Sequence, residues 1–160
     1  MSKQEFIKRI ILSIKEMALG DVKRAMVGGS KMGAFILGSC LIDCLAAFYY
    51  GDFSTQKNYK NYIKKFLPQY NPQNFYKDLR CQLVHNYSEG GSYVFKDNKP
   101  SEHLKKYKES NKIVINLESF VEELEKIVDD YLKLIIKNDV AYKKALKNIK
   151  LSGLLGVVKN

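Results

Sequence analysis

The chain has no tryptophan and only three prolines, three cysteines and two histidines in 160 residues. Three prolines and ten glycines leave little room for a disordered or low-complexity stretch. The cysteines, Cys40, Cys44 and Cys81, are odd in number and lack framework spacing. That argues against a disulfide-stapled secreted fold and for a reduced, cytoplasmic setting. His85 and His103 lie far apart and no C-x2-C pair accompanies them, so no zinc site, and no other metal or cofactor, is expected. Residues 1–12 are amphipathic and charged, unlike a signal peptide. Acid is also scarce: 17 Asp and Glu face 27 Lys and Arg, a net charge of +10. This balance points to an anionic partner such as nucleic acid.

The length suits one domain over residues 1–160, and 46% hydrophobic residues can fill its core. Apolar residues recur at helical spacing through most of the chain. Phe6, Ile10, Ile14 and Met17 mark a first helix over 1–19, which Gly20 ends or kinks, with a short helical turn over 21–27. Gly28-Gly29-Ser30-Lys31-Met32-Gly33 lacks the order of a phosphate-binding loop and reads as a turn with Ser30 as N-cap. Residues 32–50 are apolar nearly all round. They approach membrane-spanning length, but Asp43 interrupts them, so a buried central helix is expected and no membrane partner. Cys40 and Cys44 read as packing residues.

Ser54 or Thr55 caps the next helix, whose stripe is Tyr59, Tyr62, Ile63 and Phe66, with lysines mostly off it. Pro68 stops that helix. Asn71-Pro72 starts another, with Phe75, Tyr76, Leu79 and Leu83 inward. After Gly90-Gly91 the period changes. Ser92 to Phe95 and Lys112 to Ile115 have strand character, which predicts a small β-hairpin inserted at about 91–116, with His103 on its surface. Asn116 caps a long helix over 117–137, whose acidic residues read as a solvated face. Asp139 starts a last helix, and an apolar tail follows at 151–158. The result is an all-α bundle of about five helices carrying a β-hairpin.

The most specific stretch is Asp78-Leu79-Arg80-Cys81-Gln82-Leu83-Val84-His85-Asn86-Tyr87. An arginine fork matches phosphate and an imidazole exchanges protons near neutral pH, so the two suffice for phosphodiester chemistry without a metal. At about 100° per residue, positions five apart on an α-helix point about 140° apart. Either the arginine bends round, or the helix loosens near His85, or a second subunit completes the site. The plainer alternative is that His85 interacts with the last carbonyls of its helix. A carboxylate on a mostly buried helix wants a partner, so Asp43 is expected to pair with Arg80 or His85 unless it lies on a wet stripe.

Arg80, four residues, His85, one residue, Tyr87 resembles the R-x4-6-H motif of HEPN domains, in the R-x4-H-x-Y form of toxins paired with nucleotidyltransferase antitoxins. The resemblance implies an up-and-down helical bundle, usually a homodimer, acting as a metal-independent endoribonuclease in toxin–antitoxin or antiphage systems. It implies Arg80 and His85 as catalytic residues, Asn86 and Tyr87 in support, products with a 2′,3′-cyclic phosphate, and nucleotidylation of Tyr87 by an antitoxin. One position departs from the family: Cys81 stands where active members carry a polar residue. That departure keeps two alternatives in view, a non-catalytic RNA- or nucleotide-binding module of the same fold and a structural partner protein.

Overall fold

A 20-residue helix that is apolar on every side has to be surrounded, and the rest of the chain surrounds it. In the computed structural model, which describes residues 2–53, 55–88 and 91–152 (side chains to Ile149), this is α3, Lys31–Tyr50. It packs against each of the other helical rods. By length and composition α3 could cross a membrane, yet 56% of its most apolar stretch is buried inside the fold. Phe35, Ile42, Leu45 and Ala46 are fully buried. Gly38 lets α3 approach the long helix near the C-terminus: a β-carbon there would sit 2.6 Å from the Phe120 ring. Gly51 closes α3 in the left-handed conformation, and the Ala47 carbonyl accepts from the amides of Gly51 and Asp52.

The first rod is continuous from residue 3 to 27. It comprises α1, Lys3–Ile10, a π-helical stretch, Ile11–Leu19, and α2, Gly20–Val27. The Ser2 side chain caps it by accepting from the Glu5 amide. Gly20 does not end this rod. Its backbone is helical (φ −59°, ψ −40°), and buried Leu19 and Val22 on either side hold the chain on α3. At the turn that follows, Ser30 occupies the N-cap position but its side chain makes no capping hydrogen bond. Ser54, one of two caps considered for the next helix, lies outside the described residues. Thr55 does the work for α4, Gln56–Phe66, accepting from the Asn58 amide. Tyr59, Tyr62 and Ile63 of α4 are fully buried, so its aromatic spacing serves the core.

Asn71 caps the next rod by accepting from the amides of Gln73 and Asn74, with Pro72 in the first turn. The rod runs as α5, Pro72–Phe75, then a second π-helical stretch, Tyr76–Leu83, then α6, Val84–Asn86. After the strands come α7, Leu117–Lys137, capped by Asn116, and α8, Asp139–Ser152. The described residues thus hold six helical rods around one core, in keeping with the helical class and slightly above the expected number. Of the apolar tail, Leu151 and Ser152 end α8, and the remainder lies outside the described residues. Of the acidic residues of α7, Glu122 and Asp130 are exposed, while Glu125 and Asp129 are half-buried and paired with the first rod, through Lys15–Asp129 at 2.7 Å and Lys23–Glu125 at 2.7 Å.

The predicted β-hairpin is corrected. β1, Tyr93–Lys96, and β2, Ile113–Asn116, pair in parallel, Tyr93 opposite Ile113 and Lys96 opposite Asn116. A parallel pair needs a return crossing between its strands. Residues 97–112 supply it, with a 3₁₀ turn at Pro100–Glu102. The crossing then runs antiparallel along the other edge of β2. Leu104 donates to Val114, Val114 to Lys105 and Tyr107 to Lys112. The tight hairpin of this region therefore joins residues 104–107 to β2.

The insertion is tied to the helices at two points. Buried Asp78 accepts from the Ser92 amide at 2.6 Å, and burial pushes its carboxyl above the usual range. Gly91 (φ +71°) lies against this carboxylate, where any β-carbon would overlap it. His103, read from the sequence as a surface residue, is instead nearly buried. Its Nδ1 accepts from the Asn116 amide at 3.1 Å, and its Nε2 lies 3.2 Å from Glu123. An imidazole accepting at Nδ1 carries its neutral-form proton on Nε2, so the ring bridges the start of α7 to its own second turn. The Tyr70 hydroxyl completes the group, donating to Glu123 at 2.5 Å. We expect Gly91→Ala to destabilise the protein by about 1–3 kcal/mol, from a left-handed backbone on a non-glycine residue and a displaced buried carboxylate. Urea denaturation followed by circular dichroism measures this, and an unchanged midpoint would contradict it.

Candidate active site

The π-helical turn resolves the spacing problem posed by Arg80 and His85. In π-helix the hydrogen bonds join residues five apart, so such residues lie nearly one turn above each other. Arg80 sits inside the π-helical Tyr76–Leu83 and His85 in the turn just after it. Their side chains meet: Arg80 Nη1 is 3.4 Å from His85 Nε2. A guanidinium only donates, so Nε2 is the acceptor, and the neutral ring carries its proton on Nδ1. The helix loosens, and both groups converge within one chain.

Asp43 of α3 provides the second constraint. The Arg80 Nε donates to Asp43 Oδ2, joining the motif rod to the central helix. The Asp43 side chain is 15% exposed and that of Arg80 28%. Burial alone would lower the pKa of Arg80. The hydrogen bond and charge of Asp43 outweigh it and hold the guanidinium above its ordinary value. Arginine has five N–H donors. One goes to Asp43 and one to His85, and Nη2 has no protein partner among the described residues. A partly exposed cation held this way keeps unused donors beside an exposed imidazole.

Asn86 and Tyr87 are not drawn into this group. Both are exposed, and Tyr87 has left the helix in the left-handed conformation (φ 50°), its amide donating to Leu83. The helix ends before Tyr87, so the supporting role that the resemblance implies for it has no contact with Arg80 or His85 among the described residues. His103 belongs to the separate network beneath the insertion.

Several neighbours were not singled out from the sequence. Cys40 is exposed and lies close enough to Arg80 and Asp43 to feel both charges, so it is no core residue. Beneath it, Ser39 and Tyr59 share a buried hydrogen bond of 3.1 Å. Tyr76 sits against Cys81, and burial followed by that contact raises its hydroxyl pKa. Lys60 reaches over the Tyr76 ring, 6.0 Å from its centroid. Helical spacing carried the signal: Cys40 is three residues before Asp43, and Tyr76 four before Arg80. Among the described residues no three His, Cys, Asp or Glu side chains are grouped to hold a metal ion.

The chain matches no family model, no curated protein and no solved structure.

The three thiols differ in environment and can report on the site. Burial, then the charge of Asp43, pushes the Cys44 thiol up to about 12. At pH 8 only about one Cys44 in ten thousand is then thiolate, the reactive form. We expect iodoacetamide to modify Cys44 more slowly than exposed Cys40 in the folded protein, as read by peptide mass spectrometry. Equal rates, or faster labelling of Cys44, would contradict this.

Proposed function

We propose that this chain is a metal-independent endoribonuclease of the HEPN type, acting as a homodimer in a toxin–antitoxin or antiphage setting in the cytoplasm. The observation that carries the reading is the 3.4 Å approach of Arg80 to His85 on an exposed face. His85 takes the proton of a ribose 2′-hydroxyl, or delivers one to the leaving 5′-oxygen. The free donors of Arg80 stabilise the charge that develops on phosphorus as that hydroxyl attacks. The products are a 2′,3′-cyclic phosphate and a 5′-hydroxyl, and the attacking group belongs to the substrate. Asp43 is a positioning residue, since it reaches the reaction only through Arg80. The +10 net charge suits RNA as partner. Two-thirds exposed, Tyr87 is open to nucleotidylation by an antitoxin, the modification that the family resemblance implies.

A second reading keeps RNA and drops the chemistry: a HEPN-like binding module. It is favoured by Cys81, the one departure from the motif, which follows Arg80 directly and leans on Tyr76.

Incubation of single-stranded and structured RNA with the protein in EDTA separates these readings. We expect cleavage by the wild type, and a rate about 10²–10⁴-fold lower for His85→Ala and for Arg80→Ala, the usual span for losing a general acid–base or charge-stabilising group. Asp43→Asn should fall between. Salt-sensitive binding without cleavage would establish the module, and neither binding nor cleavage would leave a structural partner protein.

A further inference from the structure

The crossing between β1 and β2 frames a cavity of about 420 Å³ remote in sequence from the Arg80–His85 pair. Five lysines line it, Lys96, Lys99, Lys105, Lys106 and Lys108, against two acids, Glu102 and Glu109. The acids are already engaged. Glu102 is bound by Lys96 at 2.8 Å and by Lys99 at 3.5 Å, and Glu109 accepts the Tyr107 hydroxyl at 3.0 Å. Lys105, Lys106 and Lys108 form no ion pair among the described residues, and although Glu109 keeps its charge the five lysines outnumber the two acids. Three cations crowded into four residues repel one another, a cost that a bound polyanion removes.

The scaffold beneath them is fixed. Leu104 donates to Val114 and Lys105 accepts from it, Tyr107 donates to Lys112 just before β2, and Leu104 turns the segment with a left-handed backbone (φ 59°). Tyr107 stands between the lysines, its ring only partly buried, with Lys96 Nζ 4.4 Å from its centroid. Lysines tracking phosphates beside an aromatic ring are the two components of single-strand recognition.

We propose that this cavity is a second nucleic-acid site, which grips the phosphodiester backbone of single-stranded RNA through Lys105, Lys106 and Lys108 with Tyr107 against a base. It goes beyond the cleavage reading, because backbone binding here uses neither Arg80 nor His85.

The probe is a fluorescein-labelled 2′-O-methyl oligouridine, which lacks the attacking hydroxyl and survives the proposed cleavage. Its binding to the full chain is followed by anisotropy across a salt series. We expect Lys105→Gln/Lys106→Gln/Lys108→Gln to weaken binding at least about tenfold and to flatten the log–log salt slope by about 2, since each single-strand phosphate contact contributes about 0.7. The control Lys137→Gln/Lys143→Gln/Lys147→Gln removes the same charge from exposed helical positions and should change affinity less than about threefold. As a measurement on the unaltered protein, bound oligonucleotide should shield Lys105, Lys106 and Lys108 from acetylation and leave Lys137 reactive. The site is overturned if the wild type does not bind, if both triple variants lose affinity equally, or if the three lysines stay as reactive as before. Absent cleavage of ordinary RNA would sink the nuclease reading alone.

Discussion

A carboxylate halfway along an otherwise apolar helix is the constraint on which this architecture turns. Asp43 cannot be surrounded by hydrocarbon, and only 15% of its side chain reaches solvent. Arg80 meets the requirement from the neighbouring rod. The ion pair fixes the rotation of the motif rod against α3, and with it the position of His85. Pairs of this kind are weak sources of net stability but costly to break from one side. Here the pair serves geometry, since a guanidinium anchored through Nε keeps its terminal nitrogens aimed at one place.

Much of this was legible in the sequence, because the relevant rules are local. Helical periodicity gave the long rods, and Asn71-Pro72, Thr55 and Asn116 announced their starts through capping chemistry. The unusual Asp43 pointed to a buried partner, and Arg80 is that partner. What stayed hidden depends on tertiary context. Both π-helical stretches have ordinary helical composition and no sequence mark. Gly20 looked like a stop, yet packing of Leu19 and Val22 carries the helix through it. The parallel pairing of β1 and β2 looked like a hairpin because strand propensity says nothing about direction. His103 resembled a surface residue because its neighbours are lysines, while its partners, Asn116, Glu123 and Tyr70, come from outside its own segment.

The insertion and the motif rod are mechanically joined, and this bears on how the two could communicate. Asp78 holds the entry to β1 two residues before Arg80, from the opposite side of the same π-helical turn. Glu123 and His103 lock the exit of β2 onto α7. The insertion is thereby clamped at both ends, and only the crossing between its strands projects its lysines outward.

The π-helical turn at Tyr76–Leu83 has an evolutionary consequence. A wide turn accommodates one residue more than an α-helical turn does, so it can be gained or lost by inserting or deleting a single codon. Losing one residue there would restore regular winding and rotate everything beyond by roughly 100°. Buried Phe75 and Leu79 upstream would keep their places while the imidazole swung away from the guanidinium. Lineages carrying this architecture could thus switch between a converged and a dispersed pair in one indel, at the cost of unseating Leu83, which is fully buried at the end of the wide turn.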